Sequence, residues 1–369
     1  MRVMHLTTHL NVGGISQYIY SLLKEMRPGL DFACVVSSGG AYEERLKACG
    51  VVTYALPIKT KSALSPKIFM AVMPLAKLIK GNKIDIIHAH TRVTQVLAAM
   101  VSRLTGVPYV TTWHGYYTPR FGRRLLPACG RRVIAISDPV KEDLITSFKI
   151  PAEKIRLVYN GIDMDEFEGR GNVADLLQER ERLGLEKVFP VIGTVARLVA
   201  DKGHACLIKA FKVFSEKYPG AKLLIVGEGK HRSKLDELVR HYGLERRVVF
   251  VGAVKNVARL IQLMDIFVLV PSLKEGFGLA VIEAMTLKKP VIVSKIGGLT
   301  AIVEHERRGL IIEPENSAML AEQLEYLTKH PEKRSQLSAA AYQYCRDNFT
   351  IKTMARKIKA LYEEVVSRS

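Results

Sequence analysis

Short apolar runs alternate along this chain with stretches in which apolar residues recur every three or four positions. That alternation predicts parallel strands joined by covering helices. In the first half the runs fall near Arg2–Thr8, Phe32–Ser37, Val51–Leu56, Ile84–Ala89, Tyr109–Trp113, Arg132–Ile136 and Ile155–Tyr159, with helical periods at Gly14–Met26, Pro66–Lys80 and Thr91–Thr105. The second half repeats the scheme near Phe189–Ala196, Lys222–Val226, Val248–Val251, Ile266–Val270, Val291–Ser294 and Leu310–Ile312. Its 369 residues exceed what one core spans. The expected fold is therefore α/β, with two doubly wound, Rossmann-like domains. The turn Asn160-Gly161-Ile162-Asp163 and the polar stretch after it place the join near residue 165.

The pattern becomes chemical at Pro271 to Glu283. The buried run Ile266–Val270 leads into a turn, Glu275-Gly276-Phe277-Gly278, and a helix follows from Leu279 to Leu287. Glu275 and Glu283 bracket a helix N-terminus, whose unpaired N–H groups and partial positive charge suit a phosphate. Glycines at 276 and 278 would let it come close. Glu283 could accept hydrogen bonds from ribose hydroxyls while Glu275 faces what the phosphate carries. Carboxylates beside a phosphate need nearby cations, and Arg197 and Lys202, at the end of the Val191–Ala196 run, supply them. Strand C-terminal edges are where open α/β sheets bind ligands. Each motif also has a plain reading: a glutamate early in a helix favours the dipole, and Arg and Lys are ordinary on surfaces. Gly13-Gly14, between the first strand and an amphipathic helix, is either a tight turn or a ligand-approach loop.

Taken in order, Gly13-Gly14, Arg197-Leu198-x-x-Asp201-Lys202-Gly203, Val226-Gly227-Glu228-Gly229 and Glu275-Gly276-Phe277-Gly278 with its Glu-x7-Glu frame resemble the retaining glycosyltransferases of family four, which have the GT-B architecture. The resemblance covers most of the chain. It implies two Rossmann-like domains facing a cleft, with the last helix crossing back. The domains are then 1–165 plus 350–369, which binds the acceptor, and 166–349, which binds the donor. It implies that Arg197 and Lys202 bind the diphosphate, Glu275 the donor-sugar hydroxyls and Glu283 the ribose. Gly227 and Val254 would lie around the base, and Gly276, Phe277, Gly278 and Leu279 would present mainly backbone groups. Gly13 and Gly14 would approach the donor phosphates. His114, after Tyr109–Trp113, would stand against the donor sugar as a positioning donor. His88, His90 and Ser137-Asp138, at other strand ends, are candidates for the acceptor side.

The formal charge is +19, and +11 of it falls in the first 165 residues, where 22 Lys and Arg face 11 Asp and Glu. No nucleic-acid recognition signature accompanies it. An anionic membrane or acidic acceptor fits better. Two basic, apolar segments, Ser65–Lys83 and the stretch from Arg120 to Arg132, read either as a core helix with a lysine rim and a surface loop, or as lipid-docking elements. Five scattered cysteines suggest a reducing compartment and no zinc cluster. Asp163-Met164-Asp165 mimics a metal motif but sits in the linker, so no metal and no cofactor is expected. No run is long enough to span a bilayer. A cytoplasmic protein, peripheral on the inner face of the membrane, is the expectation.

The resemblance implies transfer of a hexose, with retention, from a nucleotide sugar (UDP favoured) to a hydroxyl of a glycan or lipid-linked acceptor in cell-surface polysaccharide or lipopolysaccharide synthesis. The alternatives are a GT-B sugar-nucleotide epimerase or phosphorylase, and a non-catalytic sugar-nucleotide binder.

Overall fold

The computed structural model describes residues 1–60, 62–63, 65–119, 127–168, 172–254 and 256–368. Two compact units divide it: Met1–Gly161 with Thr350–Ser369, and Ile162–Phe349. The division falls at Gly161, four residues before the expected boundary, inside the turn Asn160–Asp163.

The first unit carries a seven-stranded parallel sheet: β1 (Arg2–Leu6), β2 (Phe32–Ser37), β3 (Val52–Ala55), β4 (Ile86–Ala89), β5 (Tyr109–Trp113), β6 (Arg132–Ala135) and β7 (Ile155–Leu157). Its spatial order is β3-β2-β1-β4-β5-β6-β7. The order reverses between β1 and β4, so the crevice beyond their C-terminal ends is the unit's natural ligand site. Helices cover both faces, which is why β4 and β5 are apolar or internally satisfied along nearly their whole length. One face packs on Gly14–Met26 and on the C-terminal helix Ile351–Ser367. In that last helix Ile351, Met354, Ala355, Ile358, Leu361, Tyr362 and Val365 recur at helical spacing and are all buried. Thr350 caps its start by accepting from the Thr353 N–H. Arg132 and Arg156 both reach Glu364 on its outer side. The opposite face packs on Pro66–Gly81 and Arg92–Thr105.

The second unit holds six parallel strands: β8 (Val191–Val195), β9 (Lys222–Val226), β10 (Val248–Gly252), β11 (Ile266–Leu269), β12 (Val291–Ser294) and β13 (Leu310–Ile312). Their order, β10-β9-β8-β11-β12-β13, places the reversal between β8 and β11. Its core gathers under the helices His204–Lys217 and Ser317–Lys329.

Candidate active site

In the second unit, three loops meet at the C-terminal ends of β8, β9 and β11. Backbone bonds tie them together. The Leu198 N–H donates to Glu228 O at 2.9 Å and the His231 N–H to Leu198 O at 3.0 Å, joining the loops after β8 and β9. The Ser272 N–H donates to Asp201 O at 3.0 Å, joining those after β8 and β11. Gly203 makes the last approach possible: at φ 75°, a Cβ there would lie 1.7 Å from the Val270 carbonyl oxygen. This close packing brings Lys202 against Glu275, Nζ to Oε2 at 2.5 Å, with each side chain 16% exposed. Lys202 and Glu275, expected to contact different parts of one ligand, thus neutralise each other. Arg197 is exposed and has no side-chain partner among the described residues. Its carbonyl accepts from His204 Nε2 at 3.1 Å, which pins the strand end to the following helix.

The helix Leu279–Thr286 starts at Gly278, φ 88°, and no side chain caps it. Its first N–H groups are therefore left for an outside acceptor. Five residues in, Glu283 is 9% exposed and its carboxyl has no hydrogen-bond partner among the described residues. Burial raises its pKa to about 8. A largely buried carboxyl without a hydrogen-bond partner is costly to keep, and beside an open helix end it is a candidate ligand contact. The ring of Phe277 is buried edge-on against Phe349, so this residue has only backbone to offer a ligand. Gly227, Val254, Gly276 and Leu279 are all half-buried, in loops or at the helix start.

In the first unit, the loop after β1 carries Gly13 and Gly14, and a Cβ at either would meet nothing within 4 Å. Packing does not demand glycine there. His114 follows β5 and is half-buried, its Nε2 3.1 Å from His90 Nδ1. Burial lowers its pKa to about 3, so the ring is neutral. His88 and His90 are wholly buried and bonded to neighbouring side chains, which corrects the expectation that they line an acceptor surface. Ser137 is buried, its Oγ accepting from the Val140 N–H to cap a helix, whereas Asp138 is exposed and accepts from the Tyr159 hydroxyl.

A family model described as Glycosyl transferases group 1 matches residues 177–344, and one described as Glycosyltransferase Family 4 matches residues 12–166. An uncharacterized glycosyltransferase of Methanocaldococcus jannaschii is 30% identical over 328 residues, 84% of each chain. This chain belongs to the group 1 glycosyltransferases. An Escherichia coli UDP-Gal:alpha-D-GlcNAc-diphosphoundecaprenol alpha-1,3-galactosyltransferase is 31% identical to this glycosyltransferase over 71% of each chain. Anabaena Alr3699/HepE, solved in complex with UDP and glucose, superposes with a TM-score of 0.87 at 24% identity over 98% of this chain and 99% of that one. The fold is GT-B, built from two Rossmann-like domains.

Sequence reasoning placed Arg197, Lys202, Glu275 and Glu283 at one sheet edge, and the structure brings them there. It missed His5, Tyr18, Thr112 and Tyr362, which surround His88 and His90. Their signal was present but ambiguous, because a histidine within a strand or a tyrosine on an apolar helix face reads as core.

Proposed function

We propose that this glycosyltransferase moves a hexose from a UDP-sugar to a hydroxyl of a glycan or lipid-linked acceptor, with retention and without a metal, in cell-surface polysaccharide or lipopolysaccharide synthesis. The observation that carries the donor assignment is Glu283, a largely buried carboxyl with no hydrogen-bond partner among the described residues, beside an uncapped helix start. Its two oxygens suit the paired hydroxyls of a ribose. The uncapped N–H groups, Arg197 and Lys202 suit the diphosphate. The E. coli relative named for UDP-galactose and a diphosphoundecaprenol acceptor supports the substrate class.

Arg197 and Lys202 offset the charge that builds on the departing diphosphate, Arg through a planar fork and Lys as a point charge. The diphosphate competes with Glu275 for Lys202, and the freed Glu275 carboxylate can then accept from sugar hydroxyls. His114, by the family resemblance, is the first unit's hydrogen-bond donor to the transferred sugar. The leaving phosphate takes the acceptor proton as the new glycosidic bond forms on the face it departs from, so no protein nucleophile is required.

Peripheral membrane association belongs to the same reading. Pro66–Gly81 turns Ile68, Ala71, Leu75, Ala76 and Ile79 inward, while Phe69 (52% exposed), Met70 (76%) and Met73 (59%) face solvent among Lys67, Lys77 and Lys80. Apolar side chains framed by lysines suit an anionic lipid surface. Of the other basic segment, Arg120, Arg123 and Arg124 lie outside the described residues, and Arg132 at its end pairs with Glu364. No helix among the described residues is long and apolar enough to cross a membrane.

A thermal-shift panel of nucleoside diphosphates and their sugars tests the donor, because a ligand that binds the folded state raises apparent stability. UDP and UDP-sugars should give the largest shifts. Free UDP should then appear only when an acceptor is added. Release without acceptor would favour an epimerase or phosphorylase, and binding without turnover a non-catalytic binder.

A further inference from the structure

At the reversal point of the first unit, seven side chains form one unbranched chain of hydrogen bonds. Tyr18 Oη lies 3.4 Å from Thr112 Oγ1, which lies 2.6 Å from His88 Nε2. His88 Nδ1 is 2.5 Å from Tyr362 Oη, and that hydroxyl is 3.3 Å from His5 Nε2. His5 Nδ1 is 2.8 Å from His90 Nε2, and His90 Nδ1 is 3.1 Å from His114 Nε2. Six of the seven residues come from β1, β4, β5 and the loops and helix beside them. Tyr362 comes from the C-terminal helix.

The proton count restricts this chain to four states. Burial keeps all four imidazoles neutral, since the charged forms would be stripped of water with no carboxylate to compensate. Each of the seven groups then brings one hydrogen-bonding proton, and six links use six of them. Every link can be made with the spare proton in any of four places, because a hydroxyl oxygen can accept twice: on Tyr18, Thr112 or Tyr362, or on His114. Three of these leave it on a buried hydroxyl, Tyr18, Thr112 or Tyr362, none of which has an acceptor outside the hydrogen-bonded chain among the described residues. The fourth leaves it on His114 Nδ1, at the half-buried end of the chain. A buried donor without an acceptor carries the full desolvation penalty. The fourth state therefore wins.

We propose that this chain holds His114 as the Nδ1–H tautomer, with Nε2 anchored on His90, so that the ring presents a donor at Nδ1 to the transferred sugar. The sugar contact rests on the proposed function; the tautomer does not. His90, His5, Tyr362, His88 and Thr112 are positioning residues, and the C-terminal helix enters the chemistry through Tyr362. All four histidines are Nδ1–H, the opposite of the form a free histidine side chain favours.

Two-bond proton–nitrogen correlation spectra of the full chain labelled with 15N-histidine read the tautomers directly. Wild-type protein should show the Nδ1–H pattern for His5, His88, His90 and His114, the last identified by its loss in His114→Ala. In His90→Leu, His114 should revert to Nε2–H. Turnover of whichever of UDP-glucose, UDP-galactose and UDP-N-acetylglucosamine is accepted should then fall about ten-fold, the scale of one hydrogen bond. His90→Asn, whose amide nitrogen can stand near the Nδ1 position, should restore both. An Nε2–H His114 in the wild type overturns the proposal. So does retention of stoichiometric metal, because an ion held by the His5, His88 and His90 nitrogens, which lie within 4.8 Å of one another, would take lone pairs that the chain uses. An Nδ1–H His114 whose replacement by Ala leaves turnover unchanged supports the chain and overturns the sugar contact alone.

Discussion

The two sheets share one topology through six strands, the first adding a seventh at its edge, yet their reversal points are furnished in opposite ways. Between β1 and β4 the first unit sets neutral rings and hydroxyls, nearly every polar atom bonded to a neighbour. Between β8 and β11 the second unit sets ionisable groups: an exposed Arg197, a Lys202–Glu275 pair and a Glu283 with no hydrogen-bond partner among the described residues. A self-satisfied network is rigid and can orient a group, whereas an unsatisfied one is poised to take a ligand. One fold therefore supplies both an orienting edge and a binding edge, and the side chains at the strand ends decide which.

The largest test of the contrast removes the binding edge's cations. Lys202→Ala and Arg197→Ala should each lower turnover by about 10²–10³, the cost of losing one preorganised charge-stabilising contact. Lys202→Ala also strands Glu275, so it should lower the melting temperature of the ligand-free protein, whereas the exposed Arg197 can be removed with little effect. Wild-type rates in both variants would dissolve the comparison.

Glu283 should show binding and stability moving in opposite directions. Its folded pKa, about 8, lies above the 4.5 of the free group, so the folded unit holds an extra proton between those values. Stability should fall as pH rises through that window, at a cost on the order of 3 kcal/mol by pH 7. Glu283→Gln should abolish this slope and raise the melting temperature near pH 7.5, while losing about 1.5–3 kcal/mol of UDP affinity by calorimetry. A variant that is less stable and binds UDP normally would make Glu283 a core residue.

Chelation should change turnover little, since cationic side chains and a helix start take the place of an ion; loss with EDTA and rescue by magnesium or manganese would reverse that assignment. The smallest effect concerns the surface. Cosedimentation with anionic vesicles should weaken as salt rises, because each basic residue near such a surface contributes only about 1 kcal/mol. It should also weaken in a Phe69→Ser, Met70→Ser, Met73→Ser variant. Equal pelleting of that variant would leave the helix as a core element with exposed methionines.

Local pattern was enough to read the strands, the covering helices and the residues at the strand ends, because apolar period and turn chemistry are written along the chain. Arg197, Lys202, Glu275 and Glu283 were legible for that reason: each lies a few residues from a strand end or helix start. What neighbours neighbour was not. That Lys202 quenches Glu275 depends on Gly203 lying against Val270, and that Glu283 is protonated depends on how completely the surrounding helices exclude water. His88 and His90 looked like site residues by position, and only their burial among His5, Thr112 and Tyr362 turned them into supports. The sequence by itself determined the order of elements and the kinds of charge at each edge, since those follow from residue type and spacing. Tertiary structure alone decided protonation, pairing and tautomer, because these depend on distances between residues as far apart in the chain as His5 and Tyr362.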